Sequence, residues 1–280
     1  MMNSFAQKQG FNIGTKLAAI TILLALAAVS ISSFISGYTS NAALKSAAFD
    51  RLTAVRELKS QQIKAYFSQI EDQLTFLAED MALAKEMANF QRGVVYINSP
   101  EENKASVLKD ELLNFYKTSF LSKYQISDQV NQQSIDLEAL LPKDYIGLFL
   151  QEKYLVNPAS LSSLASEKVF FDAFNNIDNK MQGFRKKFGY VDVFLVEPRN
   201  GRIVYSSKRN IDFGTRLYNG PYADSNLGRA VATAMTARPG KIIFADFKSY
   251  IPAYGSPAAF AATAIYDKGD LLGVLAVQLS

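Results

Sequence analysis

The sequence predicts an α+β chain: an N-terminal transmembrane helix, a long helical stalk and helical region, and a C-terminal domain built on an antiparallel sheet. Three observations predict it. No charged residue occurs from Leu17 to Leu44, and residues 17–38 are dominated by Leu, Ile, Ala, Val and Phe. From residue 40 to about residue 90, apolar residues recur at helical spacing with no Pro or Gly among them. At Phe188 the apolar period changes from 3.6 towards 2, the period of strands.

The membrane segment comes first. A helix rises about 1.5 Å per residue, so about 20 apolar residues cross a hydrocarbon core of roughly 30 Å. Residues 17–38 meet that length. Lys8 and Lys16 flank the segment upstream with no acidic residue near them, which predicts a cytoplasmic N-terminus over residues 1–16. A cleavable signal peptide is the alternative, but its apolar core is shorter and ends at a small-residue cleavage site. This segment instead flows into a helical pattern without a break. The lipid bilayer is therefore an expected partner, and residues 39–280 are expected outside the cytoplasm.

A helix is predicted from Ser40 to Phe90. Apolar positions fall at Leu44, Ala48, Leu52, Val55 and Leu58, then at Ile63, Phe67, Ile70, Leu74, Leu77, Met81, Ala84 and Met87. The second set steps by threes and fours, the seam of a helix packed on another helix. The phase slips around Ser60–Gln62. Arg56, Glu57, Lys64, Glu71 and Asp72 occupy the other side. Some 50 helical residues span roughly 75 Å, which suits a stalk above a membrane.

The helical region continues to residue 187. Ser99-Pro100-Glu101-Glu102 is a helix start, with Ser as N-cap and Pro at the first position, and that helix is expected to reach about Lys123. Ser127–Asn157 is mixed, with a turn at Leu141-Pro142-Lys143-Asp144. Another helix is expected over Ser162–Lys187. Residues 188–280 then form the sheet domain. Strands are predicted at Tyr190–Glu197, Arg202–Ser207, Lys241–Phe247, Pro257–Tyr266 and Leu271–Leu279, with turns at Pro198-Arg199-Asn200-Gly201 and Asp267-Lys268-Gly269-Asp270. One helix, Ser225–Thr236, separates the second and third strands. Two strands, a helix and three antiparallel strands, with helices on one face, are the order of a PAS-like fold.

Composition excludes much of catalysis. The 280 residues contain no His, no Cys and no Trp. The usual ligands of zinc, copper, iron–sulfur and haem sites are missing, and so are the His general base and the Cys nucleophile. No metal, cofactor or enzymatic activity is expected. The formal net charge of +4 is small and spread along the chain, which gives nucleic acid no basic face to bind. Asp212-Phe213-Gly214 matches the kinase metal-binding tripeptide but lacks every companion motif, so it reads as a turn. Asp172 to Asp178 lacks the Gly and terminal Glu of a calcium loop and reads as a solvated helix face.

The segments LTAVRELKSQQIKAYFSQIEDQLTFLAED, FGYVDVFLVEPRNGRIVYSS, IDFGTRL, GPYADSNLG, YGSPAAFAATAIYD and GVLAVQLS together resemble the Cache-type, PAS-like extracytoplasmic sensor regions of bacterial transmembrane receptors. The likeness is greatest to methyl-accepting chemotaxis proteins, and such sensors also precede histidine kinases and nucleotide cyclases. The resemblance covers roughly Leu44–Phe90 and Phe188–Ser280. It implies a second transmembrane helix and a cytoplasmic output module beyond Ser280, so the chain is expected to be part of a longer receptor, and it implies a homodimer paired through the stalk helix.

The resemblance also implies a site for a small-molecule ligand of unknown class, between the sheet and the loops after its second strand. That directs attention to Arg202 and Tyr205 on the second strand, Tyr222 and Asp224 in GPYADSN, and Asp246, Tyr250 and Tyr254 at and after the fourth predicted segment. In such a site Asp receives an ammonium, Arg holds a carboxylate, and Tyr supplies a flat wall with a hydroxyl.

Overall fold

The structure, a computed structural model, describes residues 12–97, 102–127, 135–158 and 167–280. The chain divides into two compact units, Met1–Phe67 and Ser68–Ser280. Helix α1 (Ile13–Ala78) supplies the whole of the described first unit, and its last turns belong to the second. It contains one stretch long and apolar enough to cross a membrane.

The stalk seam behaves differently in the two units. In the first, Leu44, Leu52, Leu58 and Ile63 are exposed. In the second, Ile70, Leu74 and Leu77 are buried in the core. The helix predicted to continue to Phe90 breaks at Glu79–Asp80. Asp80 has an extended backbone (φ −72°, ψ 118°) and its carboxylate accepts from Leu83 N, so it is the N-cap of α2 (Met81–Tyr96). Asp favours a cap because a short carboxylate reaches the free amides of a first turn.

Helix α3 (Glu102–Phe115) is followed by a π-helical turn at Tyr116–Phe120 and by α4 (Leu121–Ser127). The predicted start at Ser99–Glu101 lies outside the described residues. Asp144 caps α5 (Tyr145–Gln151), which passes into a second π-helical turn at Glu152–Val156. Helix α6 (Lys168–Phe188) ends on Gly189, whose φ of 76° gives the left-handed C-terminal turn. Its predicted first residues, 162–166, lie outside the described residues.

Five strands follow: β1 (Asp192–Val196), β2 (Ile203–Ser206), β3 (Ile243–Ser249), β4 (Pro257–Asp267) and β5 (Asp270–Leu279), with α7 (Asn226–Thr236) between β2 and β3. The sheet is antiparallel throughout, in the order β2-β1-β5-β4-β3, and this is the PAS-like arrangement expected.

Helices cover both faces of the sheet, not one. Residues paired across strands share a face. Asp192 pairs with Gln278, which pairs with Phe260; on this face α7 fixes itself by Asn226 Nδ2 bonds to Ala258 O (2.6 Å) and Asp246 O (2.9 Å). On the other face Tyr205 meets Phe174 of α6, with ring centroids 4.8 Å apart, and a Cβ on Gly273 would strike Met87 of α2. The reason is visible in burial: every residue of β1 and β2 is buried, and a strand wet on neither side needs cover on both.

Candidate functional site

The face opposite α6 carries two buried carboxylates. Asp192 opens β1, and its oxygens accept from Ser207 Oγ (2.6 Å), Val193 N (2.7 Å), Ser206 Oγ (2.9 Å) and Lys208 N (3.0 Å). Burial raises its pKa, and these donors only partly offset that. The second is Asp212, in the tight turn between β2 and α7. Gly214 (φ 77°) lets the chain turn there. Gln151 holds the turn from the α5 side, with Nε2 donating to Ile211 O (2.7 Å) and Phe213 O (2.8 Å).

Asp212 is fully buried. Its Oδ2 accepts from Tyr250 Oη at 2.6 Å, while among the described residues no side chain bonds its Oδ1. Burial first, and then the Asp192 charge, push its pKa up to about 7, against the pull of the Tyr250 hydroxyl and of the Asp212 and Phe213 backbone amides. The Tyr222 hydroxyl is also buried, with no hydrogen-bond partner among the described residues. The Tyr222 and Tyr250 rings lie 6.2 Å apart, and Tyr250 packs edge-on to Phe260 at 5.1 Å. Tyr116, carried on the first π-helical turn, donates to Gln151 Oε1 at 2.8 Å. Burial and then the charge on Asp212 raise the Tyr250 hydroxyl well above its ordinary value; burial, then Tyr116 and Asp212, do the same to Tyr222.

A leftover acceptor on Asp212 and a leftover hydroxyl on Tyr222, both out of water, cost the fold about 1–3 kcal/mol each. Beside this cluster lies a small cavity of about 60 Å³, lined in part by Phe120, Lys123, Arg209, Ile211, Pro252 and Tyr254. The chemistry is asymmetric. The cluster offers a carboxylate oxygen and a hydroxyl, and the neighbouring cavity is lined by Lys123 and by Arg209, whose guanidinium is paired with Asp178.

The structure brings together some of the expected residues. Tyr222 and Tyr250 meet at Asp212, and Tyr254 lines the adjoining cavity, stacked on Phe120 at 5.5 Å. Arg202 is buried and committed elsewhere: its guanidinium donates twice to Asp144 (3.0 and 2.8 Å) and once to Gly214 O (2.8 Å). Tyr205 faces α6 and donates to Asp178 at 2.8 Å. Asp178 also takes Arg209 at 3.0 Å, so part of the stretch read as a solvated helix face is tied inward. Asp224 is exposed, and the cap of α7 is Ser225, whose Oγ accepts from Gly228 N. Asp246 is exposed on β3, beside a separate groove of about 280 Å³ between that strand and α7.

Sequence reasoning missed Asp212, Tyr116, Gln151 and Arg209. Asp212 carried a signal, an acid between Ile211 and Phe213 in a turn with no other ionisable side chain from Ile211 to Thr215. Tyr116 and Gln151 carried none, because only the tertiary fold brings them to the turn. Among the described residues, no group of three or more Asp, Glu, His or Cys side chains is placed to hold a metal.

No protein-family model matches this chain, and no curated protein matches it. Among solved structures it is similar to the sensor domain of the Vibrio cholerae histidine kinase DctB, at 15% identity and TM-score 0.30, over 64% of this chain and 55% of that one. It is also similar to the ligand-binding domain of the Campylobacter jejuni chemoreceptor Tlp3 in complex with L-norvaline, at 12% identity and TM-score 0.29, over 72% of this chain and 61% of that one. A structure of the sensory domain of the same receptor gives 12% identity and TM-score 0.29, over 71% of this chain and 64% of that one. The match thus spans less than two thirds of the length of each of these chains.

Proposed function

We propose that this chain is the extracytoplasmic ligand-sensing part of a bacterial transmembrane signalling receptor, most simply a methyl-accepting chemotaxis protein. In this reading residues 1–16 are cytoplasmic, 17–38 cross the inner membrane, and residues 39–187 and 188–280 are the helical region and the sensor sheet. The chain binds and reports; it does not catalyse. A histidine kinase or nucleotide cyclase carrying the same sensor differs only in the output that follows. The next several hundred codons of the gene decide between these, since methylation helices and a catalytic domain read differently.

One observation carries the sensing role: Asp212 Oδ1 and Tyr222 Oη are both buried and unpartnered in one aromatic cluster. Buried polar groups are nearly always satisfied, and an exception calls for a partner such as a water, an ion or a ligand. A ligand with a donor, an ammonium above all, satisfies Asp212 and Tyr222, and an anionic end is matched by Lys123 in the adjoining cavity. Tyr250 and Tyr254 supply ring walls. Two alternatives remain for the test: an output-free anchored binding module, and a site that binds nothing.

The test is a thermal-shift screen of the full chain in detergent against amino acids, organic acids and amines. A ligand that binds only the folded state raises the midpoint. Asp212→Asn and Tyr222→Phe are expected to remove that rise while leaving the ligand-free protein folded. The reading is abandoned if no compound shifts the wild type, or if both variants keep the full shift.

A further inference from the structure

The end of β1 and the turn after it build one wall of a cavity away from the Asp212 cluster. Glu197 follows the strand, and the chain reverses through Pro198–Gly201; Gly201 takes a φ of 71°, and a Cβ there would strike the Tyr218 ring. The cavity, of about 410 Å³, lies between this turn, the last turns of α2 and the start of α5. It shares no lining residue with the small cavity beside Asp212. The α2 wall is fixed to the sheet by Gln91, whose Nε2 donates to Leu272 O at 2.7 Å. A volume of this size is that of an ordinary small-molecule pocket.

The charges that line the cavity are not equally free. Asp144 accepts from Gly147 N, Arg202 and Arg216, so two cations already offset it. Arg199 is exposed, and water and salt screen its charge. Glu197 is different. It is 3% exposed, its carboxylate accepts from the turn amides of Arg199 (2.9 Å) and Asn200 (3.2 Å), and among the described residues it has no cationic partner. Amides hold a carboxylate in place but leave its charge uncompensated. On the same turn Asn200 Oδ1 is buried, with no hydrogen-bond partner among the described residues. Two acceptors, one of them charged, call for a donor that carries positive charge. Val94, Val95, Ile97 and Ile146 supply apolar wall, and Tyr145 adds an aromatic ring, which favours a cation.

We propose that this cavity is a second ligand site, and that it takes a primary amine on an apolar stem. The ammonium is held by Glu197 and Asn200 Oδ1, and the stem lies along Val94, Ile97 and Ile146. A ligand whose only charge is a carboxylate meets the uncompensated charge of Glu197 and is disfavoured. The site does not depend on what the Asp212 cluster binds.

The chain contains no Trp, so a single introduced one reports on one place. Val95→Trp sets it at the exposed rim of the cavity, and Phe247→Trp sets it on β3, the opposite outer strand from β2, as the control. The full chain in detergent is titrated with n-pentylammonium, and with pentanol and pentanoate as its neutral and anionic counterparts. Val95→Trp is expected to show a saturable change in emission with the ammonium alone, and Phe247→Trp none. In the Val95→Trp background, Glu197→Gln keeps the shape and an acceptor for the turn amides, and is expected to weaken binding about tenfold. Asn200→Lys sets the chain's own ammonium beside Glu197, leaves the backbone bonds of the turn in place, and is expected to abolish the response. The proposal is overturned if pentanol or pentanoate matches the ammonium, if the control responds equally, or if either variant binds the ammonium as tightly as its parent.

Discussion

Asp212 and Asp192 show how one buried acid shapes another. Among the described residues neither has a cationic partner; each relies on hydroxyls and amides, and the charge of Asp192 makes that of Asp212 harder to hold. Linkage then has a definite sign. The folded pKa of Asp212 is about 7 and the ordinary value is 3.8, so between these the native chain keeps a proton the unfolded chain has lost. The stabilisation is present below about pH 4 and is lost as the pH rises through about 7. Asp192 shifts the same way. Stability measured by urea unfolding is expected to fall between pH 5 and 7, on the order of 1 kcal/mol per unit, and Asp212→Asn to flatten that fall. For a cationic ligand the same proton must leave, so its affinity is expected to rise with pH up to about 7 and then level off; isothermal titration across that range checks it. Asp144 has the opposite sign. Burial would raise it, but the Arg202 hydrogen bonds and charge, the Gly147 amide and Arg216 outweigh burial and hold it low. Asp144→Ala strands the buried Arg202 and is expected to cost about 3–5 kcal/mol in denaturant midpoint.

At the scale of elements, the sequence was most legible where the local code is strongest. The turn at Asp267–Asp270, the Ser225 start of α7 and the change of period near Phe188 all lie within a few residues of where they were expected. The break between α1 and α2 was not read. The 3–4 spacing runs through it without interruption, because both helices bury their stripes in the same core, and the signal was the single cap residue Asp80. That residue is fixed from two sides: Leu83 N donates to it at 2.9 Å, and Lys180 of α6 reaches it at 2.6 Å. Burial alone would raise its pKa, and these contacts bring it below the ordinary value. The π-helical turns that carry Tyr116 and Tyr154 inward also have no signature in spacing. Gly273 lies near the start of β5. Its φ is 154°, and a Cβ there would stand 2.3 Å from Val196 O. Gly273→Ala is expected to lower stability by about 2–4 kcal/mol, read as a shifted urea midpoint, while a change at the open Gly269 turn is limited to backbone strain.

At the scale of the whole molecule, the chain contains one apolar stripe that is covered in the second unit and bare in the first. Ile70, Leu74 and Leu77 are buried; Leu44, Leu52 and Leu58 are not. A seam that a fold leaves bare is a seam for another helix, and the proposed partner is the same seam in a second copy. Leu52→Glu together with Leu58→Glu is expected to lower dimer yield severalfold in chemical crosslinking of the full chain in membranes.

What the sequence determined by itself was whatever depends on neighbours along the chain. Charge-free length marked the membrane segment, spacing marked the helices and strands, and the missing His and Cys removed whole classes of chemistry. Short turns set the β1–β2 and β4–β5 pairings, whereas the placing of β1 beside β5 is decided only in the tertiary fold. What only the tertiary structure decided was the fate of each polar side chain. Arg202, a natural clamp for a ligand carboxylate, is taken by Asp144, 58 residues away. Tyr205 is turned towards α6, while Asp212, read as part of a turn, is at the centre of the candidate site. The physical reason is that a buried charge or hydroxyl is governed by its partner, and the partner comes from wherever the fold has brought the chain back upon itself.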